Sequence, residues 1–183
     1  CGVGRAWEAL RVLASGDETT SATACRAFSA DRSGLVLGEG GAALVLEDWE
    51  HATARGARIH GEMLGYGTTC DHAHLVRPEV DGQMRALRAT LVDAALNPDD
   101  VDYINAHGTA TVEGDPVEVD AIRAIFGSGR KKPALSGTKS MHGHLLGAAG
   151  AMEAIVTILA LREQALPPTA HLDRIDPACA GVA

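Results

Sequence analysis

The segment Leu145–Glu163 is apolar on nearly every side, and this strongly limits the folds that the chain can adopt. A helix that is hydrophobic all round must be buried between other elements. Two short apolar stretches, 101–106 and 133–137, predict strands, and the pattern between them predicts a helix. Strands that alternate with helices, several of them apolar all round, favour a layered α/β fold with sheets buried between helices.

Local patterns predict the other elements. Val3, Trp7, Leu10 and Ala14 share one helical face, so we predict a helix over 4–14 that ends near Gly16. Further helices are expected at 47–55, from Asp81 to the Asn97-Pro98 stop, and at 116–126. We also expect a buried strand at 42–46, a second strand at 57–66 and a loop at 138–143.

Composition excludes several classes of protein. The net charge is −8 and only 3% of residues are aromatic, so neither a broad nucleic-acid surface nor a base-stacking platform is expected. The basic run Arg130-Lys131-Lys132 is either a solvated loop or a docking point for an acidic carrier protein. The apolar stretch 154–161 is too short to span a membrane, and we expect no membrane association. The four cysteines lack metal or redox spacing and are interpreted as reduced thiols of a cytoplasmic protein.

Two histidine-containing segments carry the chemistry. Asn105–Thr111 follows a predicted strand, and Thr138–Gly150 runs from a loop into the apolar helix. His144 is predicted at the N-terminus of that helix, where the helix dipole and the nearby Lys139 both oppose protonation of the ring. A neutral imidazole there can donate a hydrogen bond to a developing oxyanion.

Two other interpretations of these histidines remain. A single histidine beside a surface lysine is commonly an ordinary loop residue. A zinc site is the second alternative, because His142 and His144 are two residues apart and Asp71-His72-Ala73-His74 forms another cluster. No carboxylate or thiol completes a recognisable ligand pattern around either pair, so no metal is expected.

Both segments resemble the histidine motifs of the β-ketoacyl synthase family. Asn-Ala-His-Gly-Thr-Ala-Thr is similar to its first histidine motif, and Thr-Lys-Ser-Met-His-Gly-His-Leu-Leu-Gly-Ala-Ala-Gly to its lysine and second histidine motif. The resemblance extends over nearly the whole chain from Cys25 onward. It implies a thiolase-like layered α-β-α-β-α fold, of which this chain is largely the C-terminal half. Two histidines, rather than one histidine and one asparagine, make it similar to the elongating synthases.

The resemblance also implies the roles of individual residues. His107 and His144 would be the paired donors, and Lys139, paired with Glu153, would supply electrostatics and positioning. Thr109 and Thr111 resemble the hydroxyls that bind the pantetheine arm. Cys1 is the candidate thiolate nucleophile, because the helix after it resembles the family's nucleophile helix and a helix start lowers a thiol pKa. Asp115 and Glu118 match family positions as well, but their capping-box spacing accounts for them and we leave them out of catalysis.

The family reaction would be a decarboxylative condensation. An acyl chain moves from an acyl carrier protein to the cysteine, and malonyl thioester loses carbon dioxide to give the enolate that attacks the acyl group. No cofactor is implied, because the phosphopantetheine arm arrives on the carrier protein. The implied assembly is a homodimer or a heterodimer with a chain-length factor. A non-catalytic partner subunit and an inactive fragment are the alternatives.

The beginning of the chain departs from the family pattern. Relative to the family, two small residues are missing after Cys1. The family also has a longer segment, which includes an inner strand, where this chain has only 18–24. Removal of an inner strand would leave a buried sheet without hydrogen-bond partners. The alternatives are a truncated protein and a sequence that joins pieces of a longer chain, and we favour the second. The expected units are 1–24, a remnant of the nucleophile helix with a loop, and a C-terminal ketosynthase half at 25–183.

Overall fold

The computed structural model describes residues 2–181 and contains six helices of four or more residues and two strands within that range. The helices are α1 (Gly2–Ala9), α2 (Trp49–Ala54), α3 (Val80–Asp93), α4 (Gly114–Phe126), α5 (Lys139–His142) and α6 (Ala149–Glu163). The strands are β1 (Tyr103–Asn105) and β2 (Ala134–Ser136), and four single turns of 3-10 helix lie at Ser21–Thr23, Pro98–Asp100, Leu146–Ala148 and Pro177–Cys179.

The centre is a β1–α4–β2 unit, whose two strands pair in parallel with Ile104 opposite Leu135. Parallel neighbours need a crossover, and α4 supplies it. On one face of the sheet, Ile104 and Leu135 pack against the buried Ile122 and Phe126 of α4, with α3 behind them. On the other face, Asn105 hydrogen-bonds to α6. The sheet therefore lies between helices, as the apolar strands predicted.

Several predicted boundaries are confirmed and others are wrong. The strands predicted at 101–106 and 133–137 form, and α2, α3 and α4 form close to their predicted positions. Helix α1 ends at Ala9 rather than near Gly16, because Arg11 adopts a left-handed backbone (φ 55°) that a helix cannot continue through. The predicted 138–143 loop contains α5.

The strands predicted at 42–46 and 57–66 do not form. Both segments are largely exposed, with Val45 at 88% and Leu46 at 70% accessibility. A strand exists only as part of a ladder, and within residues 2–181 no neighbouring backbone pairs with either segment. The burial expected for 42–46 is therefore absent as well.

The segment 35–38 pairs through its backbone with the second histidine segment. Leu37 forms a parallel bridge with His144, in which His144 N–H donates to Val36 O at 2.7 Å and Gly38 N–H donates to His144 O at 3.0 Å. No helix of the described range is long and apolar enough to cross a membrane.

Candidate active site

His107 lies two residues beyond β1, in a tight loop whose backbone is fixed by a carboxylate. The Glu118 side chain accepts the N–H of His107 at 2.6 Å and the N–H of Gly108 at 2.8 Å. Gly108 has φ +39°, and the Phe28 ring packs so closely that an added Cβ would lie 3.1 Å from it. Ala110 also adopts a left-handed backbone (φ 64°). The Glu118 carboxylate on one side and the Phe28 ring on the other therefore fix the loop, and His107 lines the cavity.

The capping role predicted for Asp115 and Glu118 is wrong. Helix α4 begins at Gly114, and the side chain of its N-cap residue, Glu113, makes no capping hydrogen bond. Asp115 is buried and accepts the backbone N–H of Phe28 at 2.8 Å, while Glu118 is occupied by the His107 loop. Capping-box spacing does not distinguish a carboxylate that faces its own helix end from one that faces a neighbouring loop.

His144 lies five residues before α6, not at its first turn. Its position comes from the bridge to Leu37 and from Gly143, whose backbone (φ 73°, ψ −177°) is open essentially only to glycine. Nδ1 of His144 accepts the N–H of Leu146 at 3.2 Å. The proton of the neutral ring is therefore on Nε2.

The two imidazoles meet edge to face. Their ring centroids are 5.3 Å apart and their planes are inclined at 87°. Desolvation by the surrounding protein is the main cause that lowers the pKa of His107 to about 4, and the Lys139 ammonium and the His144 ring lower it further. Desolvation, Lys139 and His142 also lower the pKa of His144, in that order. Both rings are thus neutral at pH 7, as the sequence predicted for His144. Desolvation by the surrounding protein, rather than a helix dipole, is the leading cause, although part of His107 remains accessible to solvent.

Lys139 is completely buried behind His107 and does not line the cavity. Its Nζ donates to the His107 carbonyl oxygen at 2.6 Å, lies 3.3 Å from His107 Nδ1 and forms an ion pair with Glu153. The pairing of Lys139 with Glu153 is therefore observed. An ammonium has no acceptor capacity, so Nδ1 of His107 accepts and Nε2 carries the ring proton.

Thr109 and Thr111 continue the His107 loop. Their hydroxyls lie 3.0 Å apart, and the Thr111 hydroxyl also accepts the Gly114 N–H at 3.1 Å. The buried Arg32 holds this stretch from behind, since it donates to Thr111 O at 3.0 Å and Val112 O at 2.8 Å and pairs with Asp176. The loop is fixed at both ends.

A cavity of about 1290 Å³ joins these groups. Its polar wall contains both imidazoles, Thr109, Thr111 and Glu118, and apolar side chains such as Trp7, Leu10 and Leu75 contribute to the remaining surface. This volume exceeds that of most small-molecule sites, and the mixture of a few convergent polar groups with apolar walls suits a long substrate with a reactive end.

The proposed nucleophile, Cys1, lies outside the described residues. The other cysteines do not replace it. Cys25 and Cys179 are buried, and desolvation raises the pKa of each thiol, for Cys179 to about 11. Cys70 is exposed and does not line the cavity. Among residues 2–181, no three His, Cys, Asp or Glu side chains are grouped to hold a metal ion.

Sequence reasoning missed three residues that build the site. Arg32, Asn105 and Glu118 each hydrogen-bond to the loop or helix that carries a predicted site residue. Asn105 lies in the first histidine motif, and Glu118 occupies a position that matches the family. A polar residue inside such a motif, in a chain segment otherwise predicted to be buried, was the available signal.

Comparison with known proteins relates this arrangement to one family. The β-ketoacyl synthase C-terminal domain matches residues 60–173 and the corresponding N-terminal domain matches residues 4–52. Nodulation protein E of Rhizobium leguminosarum bv. trifolii is 50% identical over 178 residues, which cover 97% of this chain and 43% of that protein. 3-Oxoacyl-[acyl-carrier-protein] synthase 2 of Staphylococcus aureus is 47% identical over 175 residues, 94% of this chain and 43% of the relative.

Solved structures agree. A β-ketoacyl synthase from Burkholderia phymatum STM815 superposes with a TM-score of 0.93 at 41% identity, over 99% of this chain and 43% of that one. A second structure is the AntDE:AntF complex, in which a type II PKS acyl-carrier protein is bound to its ketosynthase. It superposes with a TM-score of 0.87 at 36% identity, over 95% of this chain and 43% of that one. These similarities confirm the predicted thiolase-like α/β fold, and the chain spans less than half the length of the relatives it matches.

Proposed function

The chain belongs to the β-ketoacyl synthase family, and from this we propose that it supplies the decarboxylation half of a condensing-enzyme active site. The single observation that carries the proposal is the convergence of His107 and His144, both with the ring proton on Nε2, on one cavity. Two neutral donors suit an oxygen that gains negative charge during the reaction.

The proposed reaction begins with a malonyl thioester in the cavity. The bond between its carboxylate carbon and the methylene carbon breaks, carbon dioxide leaves, and the electron pair forms an enolate whose charge lies on the thioester oxygen. The two Nε2–H groups donate to that oxygen. They contribute mainly as charge develops, so they lower the barrier more than they strengthen substrate binding.

The enolate carbon then attacks an acyl thioester on a cysteine. The new carbon–carbon bond forms, the cysteine thiolate leaves, and the product is a β-ketoacyl thioester. Cys1 is our candidate for this cysteine, since the other three are either buried with a raised pKa or away from the cavity.

An acyl carrier protein is the proposed donor of both substrates. Thr109 and Thr111 would hydrogen-bond the pantetheine arm, for which their fixed hydroxyls beside His107 are well placed. The basic run 130–132 is a weaker docking candidate, because Arg130 pairs with Asp99 and Lys131 with Asp102. We further propose a cytoplasmic protein that acts as a homodimer or with a chain-length factor.

Acyl transfer tests this function. The chain is incubated with a radiolabelled acyl-carrier protein and a malonyl-carrier protein, and label, carbon dioxide and β-ketoacyl product are measured. Peptide mapping then locates the label. We expect label on Cys1, and the Cys1→Ala variant should lose it whereas Cys70→Ala should retain it.

The outcomes separate the alternatives. Carbon dioxide release without labelling would assign the thiol to another polypeptide and remove Cys1 as nucleophile. Neither release nor labelling would leave a non-catalytic partner subunit or an inactive fragment, and the proposed function would be rejected.

A further inference from the structure

His142 lies between Lys139 and His144, and the proposed reaction gives it no role. Its ring is half-buried and meets an oxygen at each nitrogen: Nδ1 lies 2.8 Å from the Gly143 carbonyl and Nε2 lies 3.4 Å from the Thr138 hydroxyl. The sequence suggested His142 and His144 as a possible metal pair. With both nitrogens of His142 directed at protein oxygens, neither is left for an ion.

The direction of each hydrogen bond follows from the donors available. Asn105 Nδ2 faces the Glu153 carbonyl at 3.2 Å and must donate there, so Asn105 Oδ1 faces the Thr138 hydroxyl at 3.2 Å and accepts its only proton. A neutral imidazole carries one ring proton, and the Gly143 carbonyl can only accept, so the 2.8 Å contact places that proton on Nδ1. Nε2 then has no proton and lies 3.4 Å from the Thr138 hydroxyl.

The contact through Nδ1 controls the peptide that carries His144. The Gly143 carbonyl belongs to the same peptide plane as the His144 N–H, which donates to Val36 O at 2.7 Å. Rotation of this plane would break that bond and turn the His144 side chain. Because Gly143 has the glycine-only backbone described above, its own torsions restrict the plane little. The His142 contact restrains the carbonyl end of the plane, and the bond to Val36 restrains its N–H end.

The contact through Nε2 leads to the other imidazole. Thr138 is completely buried and precedes Lys139, whose ammonium bonds to His107, and Thr138 donates to Asn105, two residues before His107. The His142 ring thus contacts the Gly143 carbonyl, in the peptide that leads to His144, and, through the Thr138 hydroxyl, the strand end that carries His107.

We propose that His142 is a positioning residue that holds the two imidazoles in register. It touches no substrate; it acts through Gly143 and Thr138. Its effect on rate rests on the proposed function, but its effect on ring geometry does not.

Substitution can separate the two contacts. His142→Asn retains a donor near the Nδ1 position, His142→Gln places an amide near the Nε2 position, and His142→Ala removes both contacts. His51→Gln, on exposed α2, is the matched control. Carbon dioxide release from a malonyl-carrier protein gives kcat and KM, and nitrogen-15 resonances of the histidine rings give the protonated nitrogen of His107, His142 and His144.

We expect kcat to fall about tenfold in His142→Ala with little change in KM, as for the loss of one or two buried hydrogen bonds that position a donor. The Asn and Gln variants should each recover part of the loss, and the wild-type ring should be protonated at Nδ1. The His144 resonances should change in His142→Ala and remain unchanged in His51→Gln.

Unchanged His144 resonances in His142→Ala, or a bare Nδ1 in the wild type, would overturn the proposal. If His142→Ala does not fold, the Asn and Gln variants give the same comparison. If the wild-type chain releases no carbon dioxide, the proposed function fails and the ring resonances still decide the role of His142.

Discussion

The Lys139 ammonium lies 3.3 Å from Nδ1 of His107 and 2.6 Å from the carbonyl oxygen of the same residue. The ammonium therefore affects both the tautomer of the His107 ring and its charge. Nδ1 must accept, which leaves the proton on Nε2, and the fixed positive charge opposes a second proton. Lys139 therefore determines the tautomer of His107 and, after desolvation, adds to the lowering of its pKa, without reaching the cavity.

Lys139→Met should move the acid limb of the pH–rate profile to higher pH. The pKa values of His107 and His144 are lowered partly by the ammonium, so both rise when it is removed, and the neutral rings are lost at a higher pH as the solution is acidified. The profile of carbon dioxide release from a malonyl thioester between pH 4 and 8 measures this change. An unmoved limb would show that Lys139 does not act on these rings.

The same substitution should also destabilise the fold by about 3–5 kcal/mol, because it leaves Glu153 unpaired beside a buried site. Chemical denaturation measures the loss. The double variant Lys139→Met/Glu153→Gln should recover stability and keep the altered pH profile. If the double variant instead regained both the wild-type stability and the wild-type pH profile, the shift in Lys139→Met would report unfolding rather than electrostatics.

Glu118→Gln tests the carboxylate that holds the His107 loop. Desolvation is the main cause that raises the pKa of Glu118 to about 7. Between pH 4.5 and 7 the folded protein therefore binds more protons at this site than the unfolded chain, and the stability that Glu118 contributes falls as pH rises. The free energy of unfolding of the wild type relative to Glu118→Gln should decrease over this range. A constant difference would contradict the raised pKa.

Gly143→Ala should destabilise the protein by about 1–3 kcal/mol and reduce activity. An added Cβ would meet Gly38 at 3.0 Å, and the backbone (φ 73°, ψ −177°) is strained for any other residue. The control is Gly150→Ala in α6, where nothing lies within 4 Å and the change should stabilise the helix by up to about 1 kcal/mol. Thermal unfolding of both variants measures the contrast, and equal effects would refute the strain at Gly143.

Arg32→Met should raise KM more than it lowers kcat. It removes the bonds from the buried guanidinium to the Thr111 and Val112 carbonyl oxygens, with an expected loss of about 1–3 kcal/mol in stability. Arg85→Met, which removes an exposed pair with Asp81 on α3, should change stability by less than about 0.5 kcal/mol. Steady-state kinetics with the carrier-bound substrate tests the effect on KM. If Arg32→Met folds and its KM is unchanged, the threonine loop does not bind the arm.

The sequence was most informative where local chemistry determines structure. Strands around 101–106 and 133–137 and the histidine motifs were predicted, because apolar runs and polar loop residues follow short-range rules. The pairing of Lys139 with Glu153 required the family resemblance, since 14 residues and a turn separate them.

Other features depended on long-range contacts that a linear pattern does not contain. Asp115 and Glu118 have the spacing of a capping box, yet the loops around Phe28 and His107 take both carboxylates. The apolar segment 42–46 looked like a buried strand and lacks a partner among residues 2–181. The Phe28 backbone that Asp115 binds is 87 residues away, and the presence of a partner strand for 42–46 cannot be read from that segment itself.

The central claim is that two neutral imidazoles stabilise one developing oxyanion. Carbon dioxide release from a malonyl-carrier protein by His107→Ala and His144→Ala tests it most directly, with His51→Gln as the control. Each site variant should lose about 10²–10³-fold in kcat, as for the loss of one oxyanion donor, while the control keeps the wild-type rate. Wild-type release in either site variant, with the fold intact, would contradict the paired-donor account.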